Sequence, residues 1–369
     1  MKYNVEKMIA ELCPTGVLYC EMGKLAQIGT GKSNGNEAED NGEYPFFIRS
    51  PIVKRKNCYE YDEEAIIIPG EGGVGDIFHY INGKYALHQR VYRIHFTTKD
   101  VDTRFMYYYL SANFKVFIQR KAVNATVTSI RKPMIEQFPI PLPPLPIQQE
   151  IVRILDTFTN LTAELTAELT ARRKQYEYYR DELLTFGEDV AWTTLKCIAD
   201  IGTGSSNTNE GLKEGKYPFF VRSQEPLRKN EYEYDETAII TAGDGVGVGK
   251  VYHFYEGKYA LHQRAYRIHV NTEAMYPKFV FHYMRAKFLP YIEKTMFHGS
   301  VSSIRRPMLN EFPIPVLKVC DQKQIADILD KFDKLCEDIS EGIPAEISAR
   351  QKQYEYYRDQ LLTFKRIGG

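Results

Sequence analysis

Basic and polar residues suited to contacting nucleic acid occur at equivalent positions in the two halves of this chain. Arginine and glutamine can form paired hydrogen bonds with guanine and adenine edges, and lysine and serine suit phosphate oxygens. Ordinary solvated surface is the alternative for any single position, but clusters repeated beside glycine-rich turns favour a nucleic-acid face. The predicted DNA-binding residues are Lys32, Ser33, Arg49, Ser50, Lys54, Arg55, Gly72, Gly73, Gln89, Arg90, Arg131 and Lys132 in the first copy, and Ser205, Ser206, Arg222, Ser223, Arg228, Lys229, Gly245, Gly247, Gln263, Arg264, Arg305 and Arg306 in the second.

Two glycine-rich motifs resemble nucleotide-binding loops, but neither has the required context. Residues 26–33, AQIGTGKS, fit a relaxed phosphate-loop pattern with Lys32. A phosphate loop must open a helix, and the turn-rich SNGNEAEDNGEYP comes next instead. Gly70, Gly72 and Gly75 fit GxGxxG, yet the next residues are strand-like where a dinucleotide fold needs a helix. A tight glycine turn is predicted, whose bare N–H groups can approach phosphates or bases.

The remaining reactive residue types do not form a recognisable catalytic or metal site. Pro143 and Pro144 superficially resemble the catalytic loop of adenine methyltransferases, but Leu142 and Leu145 replace its polar and aromatic flanks. The histidines have spacings that suit neither zinc nor a catalytic triad, which leaves structural or DNA-contacting roles open. The cysteines are scattered without a CxxC pair, so free thiols are predicted. No catalytic residue, metal ligand or cofactor is assigned to this chain.

Length and composition predict a two-domain globular protein. The chain has 369 residues, with 48 basic and 48 acidic side chains. That length is comfortable for two domains, each with its own core. Because no long apolar run and no apolar N-terminal segment is present, we expect neither a membrane span nor a signal peptide, and a cytoplasmic location.

An internal repeat dominates the sequence. YPFFIRS at 44–50 returns as YPFFVRS at 217–223, and GKYALHQRVYRIH from Gly83 returns as GKYALHQRAYRIH from Gly257. The offset grows by one residue in the glycine-rich turn between these strings. Both copies end alike, with KQYEYYRDELLTF from Lys174 and KQYEYYRDQLLTF from Lys352. The two halves are therefore expected to fold alike.

Each copy divides at a proline-rich border, which at residues 139–146 should extend neither a sheet nor a helix. Upstream, β-branched and aromatic runs predict strands, and helical spacing at 105–119 and 278–293 predicts a helix, so each domain is mixed α and β. Downstream, apolar residues three and four apart predict a long helix at 147–186 and another at 321–369. The second should be kinked or interrupted at Pro344. The predicted globular domains are 1–146 and 187–320, and the two helices would pack on each other.

Two strings give the chain a resemblance to a known family. One is the strand ending ALHQRVYRI after a glycine-rich turn, and the other is SIRKPMIEQFPIPLPPLPIQQEIVRILDTF. With these strings the chain resembles, over nearly all its length, the specificity subunits of Type I restriction-modification systems. The resemblance implies an α+β fold of two similar target recognition domains, separated by two long antiparallel coiled-coil helices with pseudo-twofold symmetry.

The resemblance also implies function and partners. A non-catalytic subunit would bind double-stranded DNA, position two adenine-N6 methyltransferase subunits that hold S-adenosylmethionine themselves, and admit an ATP-dependent restriction subunit; no membrane partner is implied. Because the copies are so similar, a bipartite, near-palindromic target is expected. Two alternatives stay open at this point. A nucleotide-binding enzyme would depend on Lys32, and a coiled-coil scaffold would make the repeated arginines mere surface.

Overall fold

The structure is a computed structural model that describes residues 2–121, 129–295, 303–337 and 342–367. Tertiary contacts divide the chain into two units. The first unit comprises Met1–Thr166 and Ile347–Gly369, and the second comprises Ala167–Glu346. The predicted domain boundaries follow the order of the sequence, whereas each of these units joins a globular part to helical segments from two places in the chain.

Besides two short 3-10 helices, the first half of the chain contains four α-helices and eight strands among its described residues. In chain order they are α1 (Lys2–Leu12), β1 (Tyr19–Glu21), β2 (Ala26–Thr30), β3 (Tyr44–Phe47), β4 (Lys54–Lys56), β5 (Tyr61–Pro69), β6 (His79–Leu87), β7 (Val91–Phe96), α2 (Thr103–Lys121), α3 (Lys132–Glu136), β8 (Pro139–Pro141) and α4 (Leu145–Leu183).

The second half repeats this order. Its described elements are β9 (Ala191–Thr194), α5 (Leu195–Ile198), β10 (Ala199–Thr203), β11 (Tyr217–Phe220), β12 (Leu227–Lys229), β13 (Tyr234–Ala242), β14 (Tyr252–Leu261), β15 (Ala265–Val270), α6 (Pro277–Thr295), α7 (Arg306–Asn310), β16 (Pro313–Val316), α8 (Val319–Glu337) and α9 (Ile343–Leu361).

Each unit is built around a six-stranded sheet of the same topology. The strand order is β2-β7-β5-β6-β3-β4 in the first unit and β10-β15-β13-β14-β11-β12 in the second. Neighbouring strands are antiparallel, except that β3 lies parallel to β6 and β11 parallel to β14. This mixed sheet, repeated with its helices, confirms the expected α+β repeat.

Alternating side chains on the central strands supply buried cores on both faces of each sheet. In β5, Ile66 and Ile68 pack with α2, whereas Ala65 and Ile67 point to the opposite face and join Phe47, Tyr85 and Leu87. This division follows from the period of two in a strand. The second unit has the equivalent cores around Ile239 and Ile240 of β13.

The proline-rich border differs from its prediction, because it takes part in both kinds of structure. Pro139–Pro141 forms β8, which pairs with β1, and Pro146 lies in the first turn of α4. Proline is tolerated at both places, since a strand with one partner can leave its missing N–H outside the ladder, and the first N–H groups of a helix have no helical acceptor.

The long helices contribute to both units. Phe158 of α4 stacks on Tyr357 of α9 at a centroid distance of 5.4 Å in the first unit. The equivalent pair in the second unit is Phe332 of α8 and Tyr179 of α4, at 5.9 Å. Each unit therefore has the same helix pairing but takes its QYEYYRD segment from the other half of the sequence, and the predicted packing of the helices on each other is confirmed for these pairs.

The second predicted helix is not continuous, as expected from Pro344. The described residues show α8 ending at Glu337, a bend at Gly342, and Pro344 in the first turn of α9. Ile339, which the apolar spacing placed on the seam of this helix, lies outside the described residues. Among the described helices, none combines the length and apolarity needed to cross a membrane.

A buried glutamine ties the start of each long helix to the globular part. The side chain of Gln148 is fully buried; its Nε2 donates to the carbonyl oxygens of Asp100 (2.8 Å) and Pro143 (2.7 Å), and its Oε1 accepts from the N–H of Asp102 (2.8 Å). Gln322 makes the equivalent bonds to Ala274, Leu317 and Tyr276 in the second unit. One amide thus satisfies three backbone groups that have little access to water.

Replacing this glutamine with leucine should destabilise the fold selectively. We expect Gln148→Leu to lower the free energy of unfolding by about 2–4 kcal/mol, because it leaves buried backbone groups without partners. Urea unfolding followed by circular dichroism measures this. The matched control is Gln149→Leu at the exposed neighbouring position, and equal losses for the two variants would contradict the role given to Gln148.

Candidate nucleic-acid interface

Two arginines of the first unit share one carboxylate. The guanidinium groups of Arg49, just after β3, and Arg90, in the turn between β6 and β7, both donate to Glu71, the latter at 2.7 Å. Glu71 lies in the glycine-rich turn after β5. The N–H of Gly70 donates to the carbonyl oxygen of Arg90 at 2.9 Å, so backbone contacts also hold the two turns together.

The second unit repeats this arrangement with an acidic side chain that is one methylene shorter. Asp244 accepts hydrogen bonds from Arg222 at 2.7 Å and from Arg264 at 2.9 Å. Gly243 donates to the carbonyl oxygen of Arg264 at 2.8 Å. Each unit therefore has an arginine–carboxylate–arginine cluster at the same place in its fold.

The clusters leave positive charge facing solvent. Hydrogen bonding by Arg90 lowers the pKa of Glu71. Burial acts to raise the pKa of Asp244, but the hydrogen bonds from Arg222 and Arg264 outweigh it and lower that pKa. One ionised carboxylate faces two guanidinium groups, and the side chains of Arg90 and Arg264 are 59% and 64% exposed. Because a guanidinium has five N–H donors, each arginine keeps donors for a ligand.

Histidines contact the backbone at or next to these arginines. His88 is buried, and its Nδ1 accepts a hydrogen bond from the N–H of Arg90 at 3.0 Å. His79 lies with its Nε2 3.2 Å from the carbonyl oxygen of Ser50. His262 and His253 have the same contacts with Arg264 and Ser223 in the second unit. Of the two roles that the sequence left open, the geometry favours the structural one for these four residues.

A neighbouring pair of amides is arranged alike in both units. Nε2 of Gln89 donates to Oδ1 of Asn34 at 2.5 Å, and Gln263 bonds to Asn207 in the same way. All four residues are exposed. The glutamines therefore lie in a fixed orientation beside the arginines that come next in sequence.

Some of the predicted DNA-binding side chains are instead engaged within the fold. Ser33 is buried, donates to Glu60 and accepts from Lys56. Arg55 donates to the carbonyl oxygens of Gly42 and Glu43. The second unit has the counterparts Ser206 with Glu233 and Lys229, and Arg228 with Gly215, while Gly247 is buried and Arg306 donates to the carbonyl oxygen of Ile201. Ser33, Ser206 and Gly247 are buried and Arg228 and Lys229 are half-buried, whereas Arg55 and Arg306 are exposed but donate to backbone carbonyl oxygens of their own unit.

The other predicted residues are accessible. Lys132 is exposed, and its Nζ lies 3.6 Å from Oε1 of Glu136. Ser50 and Ser223 make local hydrogen bonds in their turns. Further exposed members of the predicted set are Lys32, Lys54, Gly72, Gly73, Arg131, Ser205, Gly245 and Arg305. No α-helix occurs between Lys32 and β3, which removes the basis for a phosphate loop.

Each cluster borders a cleft on its unit. In the first unit the cleft has a volume of about 310 Å³ and is lined by Arg49, Ser50, Glu71, Gly72 and His88, among others. In the second unit it measures about 450 Å³, with Arg222, Ser223, Leu227, Asp244 and Val246 in its lining. Charged donors around a cleft of this size can contact the edges of flat polar ligands. In the described residues, no group of His, Cys, Asp or Glu side chains has an arrangement suited to a metal ion.

Sequence reasoning missed the two carboxylates. Glu71 and Asp244 both stand between glycines at the same place in the repeat, and that signal was available. The arginines that bind these carboxylates are distant in sequence. The clusters therefore form only in the folded units, where the ends of β3, β5 and β6 lie side by side.

Comparison with known proteins places this chain in a family. The model of the Type I restriction modification DNA specificity domain matches residues 17–172 and again residues 188–349. The chain belongs to that family. It is 36% identical over 290 residues to the specificity subunit of the Type I restriction enzyme EcoR124I/EcoR124II of Escherichia coli, covering 71% of this chain and 70% of the relative.

Further comparisons point to the same family. A putative Type I restriction enzyme specificity subunit of Haemophilus influenzae is 31% identical over 352 residues, covering 88% of this chain and 89% of its own. The crystal structure of the Type I restriction-modification S subunit from M. genitalium matches the fold with a TM-score of 0.65 at 16% identity, over 94% of this chain and 95% of that one. The resemblance seen in the sequence is thereby confirmed, and this chain is a specificity subunit concerned with DNA-target recognition.

The buried histidines of this specificity subunit predict a loss of stability in mild acid. Burial lowers the pKa of His88 and His262, so below the ordinary histidine value of about 6.5 the unfolded chain binds more protons than the folded one. The free energy of unfolding should be highest above that pH and fall as the pH decreases toward the lowered folded-state values. Urea unfolding at about pH 8 and about pH 5.5, above the range in which ordinary carboxylates titrate, measures the change.

The matched control is the double variant His88→Gln and His262→Gln, whose amide oxygens can still accept the arginine N–H groups. It should show a shallower dependence of stability on pH. The same pH dependence in both proteins would mean that these two histidines do not titrate as described.

Proposed function

We propose that the two arginine–carboxylate–arginine clusters form the DNA-recognition faces of this specificity subunit, one face for each half of a bipartite target. The observation that carries the proposal is the recurrence of the same cluster, with exposed guanidinium groups, in both units. Arginine contacts to guanine O6 and N7 are the commonest base-specific contacts in the major groove. The carboxylate between each pair would align the two guanidinium groups before DNA binds.

The proposed contacts fall into two classes. Arg49, Arg90, Arg222 and Arg264 would contact bases, with Gln89 and Gln263 beside them. The phosphate contacts proposed are Lys32, Lys54, Arg131, Lys132, Ser205 and Arg305, together with the exposed glycine N–H groups, because these residues are exposed. Ser33, Arg55, Ser206, Arg228 and Lys229 would act indirectly, by holding the loops that carry the contacts.

The target should be bipartite and nearly palindromic. Residues 1–146 and 187–320 are proposed as the two target recognition domains. Since they present nearly the same residues from the same fold, they should prefer similar half-sites, and a twofold relation would set these on opposite strands.

The partners proposed are two adenine-N6 methyltransferase subunits and an ATP-dependent restriction subunit, acting in the cytoplasm on double-stranded DNA. A matched chain from a solved Type I restriction-modification system, described in terms of its complex assembly, has the same fold with a TM-score of 0.55 at 12% identity. Methyl transfer would be carried out by the partner subunits with their own S-adenosylmethionine. This chain would supply recognition alone, and its near-zero formal charge fits a protein whose partners share the phosphate contacts.

Single arginine substitutions test the proposal. Arg90→Ala should weaken recognition of one half-site by about 1–3 kcal/mol, and Arg264→Ala should do the same to the other half-site, because each loses base contacts in one unit. The measurement is methylation mapping and binding with the chain assembled with its methyltransferase subunit. Lys99→Ala is the control, since Lys99 is exposed at the opposite end of β7 from Arg90. Equal damage to both half-sites would contradict base recognition by these residues and indicate a general role in folding or phosphate binding.

A further inference from the structure

The glycine-rich turn of the second unit contains one inserted residue, and the structure identifies it as Val246. Glu71 and Gly72 correspond to Asp244 and Gly245, because the carboxylates bind the same arginines and both glycines have positive φ. After the insertion, Val74 and Val248 occupy equivalent core positions, and Gly75 and Gly249 come next with positive φ in both units. Gly73 and Gly247 also correspond, because the carbonyl oxygen of each accepts hydrogen bonds from the N–H groups three and four residues later. Val246 is thus left without a counterpart.

Val246 stands almost entirely in solvent, at 96% exposure. Its position is imposed by the turn. Gly245 has a φ of +79°, Val248 N–H donates to the carbonyl oxygen of Gly245 at 3.2 Å, and a Cβ at Gly247 would lie 2.6 Å from the carbonyl oxygen of Arg222. The turn closed by this hydrogen bond, together with the close packing of Gly247 on Arg222, thus presents the Val246 side chain to solvent.

The cleft beside Val246 has more aliphatic side chains in its lining than the equivalent cleft of the first unit, where Ile48 stands at the place of Val221. Val221, Leu227 and Val246 line it together with Arg222 and Asp244. The first unit has Lys54 at the position that corresponds to Leu227, and it has no residue that corresponds to Val246. Aliphatic groups next to guanidinium groups suit a ligand that offers an apolar group beside hydrogen-bond acceptors.

Within a DNA major groove, the 5-methyl group of thymine is such an apolar group, and guanine O6 and N7 are such acceptors. We propose that Val246 contacts the 5-methyl group of a thymine in the half-site bound by the second unit. The inference rests on the proposed function, since it assumes that the clusters face DNA. It names a position at which the two half-sites should differ, because the first unit has no residue to make this contact.

Deoxyuridine, which is thymidine without the methyl group, tests the contact. The protein is the full chain assembled with its methyltransferase subunit, and each thymine of the mapped target is replaced in turn. For the wild type, one replacement in one half-site should weaken binding about fourfold, as expected for one buried methyl group. For Val246→Ala the same replacement should have little effect, while Val316→Ala, at a partly exposed valine of β16, should keep the wild-type response.

Each outcome of this experiment either supports or contradicts the contact between Val246 and a thymine methyl group. The inference is overturned if no thymine responds to removal of its methyl group, or if Val246→Ala keeps the response. It is equally overturned if Val246→Ala impairs assembly with the methyltransferase subunit but leaves base preference unchanged, since the valine would then belong to a protein interface. Failure of the proposed function would be seen in a separate measurement. In that case Arg264→Ala would leave recognition of both half-sites unchanged.

Discussion

The organisation of this specificity subunit depends on one continuous helix. α4 runs from Leu145 to Leu183, and its backbone hydrogen bonds make it a single element. Ile147, Ile151 and Phe158 near its start belong to the core of the first unit, whereas Tyr176 belongs to the core of the second. Each unit needs its part of this helix to cover apolar surface, so neither unit can be completed without the chain segment that connects them.

The same constraint explains how one sequence motif serves two places. The QYEYYRD segments of α4 and α9 are nearly identical, and each completes the unit that lies in the other half of the sequence. The buried amides of Gln148 and Gln322 then fix where each long helix begins relative to its globular part. The clusters at the far end of the sheet can diverge without disturbing this framework, because the turns that carry them share few core residues with it.

Much of this architecture could be predicted from sequence. The repeat, the mixed α and β character, the long helices and the break at Pro344 follow from period and composition. The exchange of helical segments could not be predicted, because two nearly identical segments have the same apolar pattern and pattern does not choose between partners. The burial of Ser33 was hidden for a related reason: it depends on a backbone pairing with His88, which is distant in sequence and meets Ser33 only in the folded unit. Arg49, Arg90 and their counterparts were predicted, but the carboxylates that organise them were not.

The most direct test of the account concerns the junction of the two units, which falls between Thr166 and Ala167 inside the tandem TAEL sequence at 162–169. Its leucines are only half-buried and its other residues are mostly exposed, so deleting one TAEL unit should leave both cores intact. The deletion removes about 6 Å of helix and rotates the downstream part of the chain by roughly 40°.

Since one base pair advances about 3.4 Å, mapping methylated adenines for the wild type and for the deletion should show a gap between the half-sites that changes by about one or two base pairs. The half-sites themselves should remain the same. An unchanged gap, or altered half-site sequences, would contradict the account of two recognition units spaced by a shared helix.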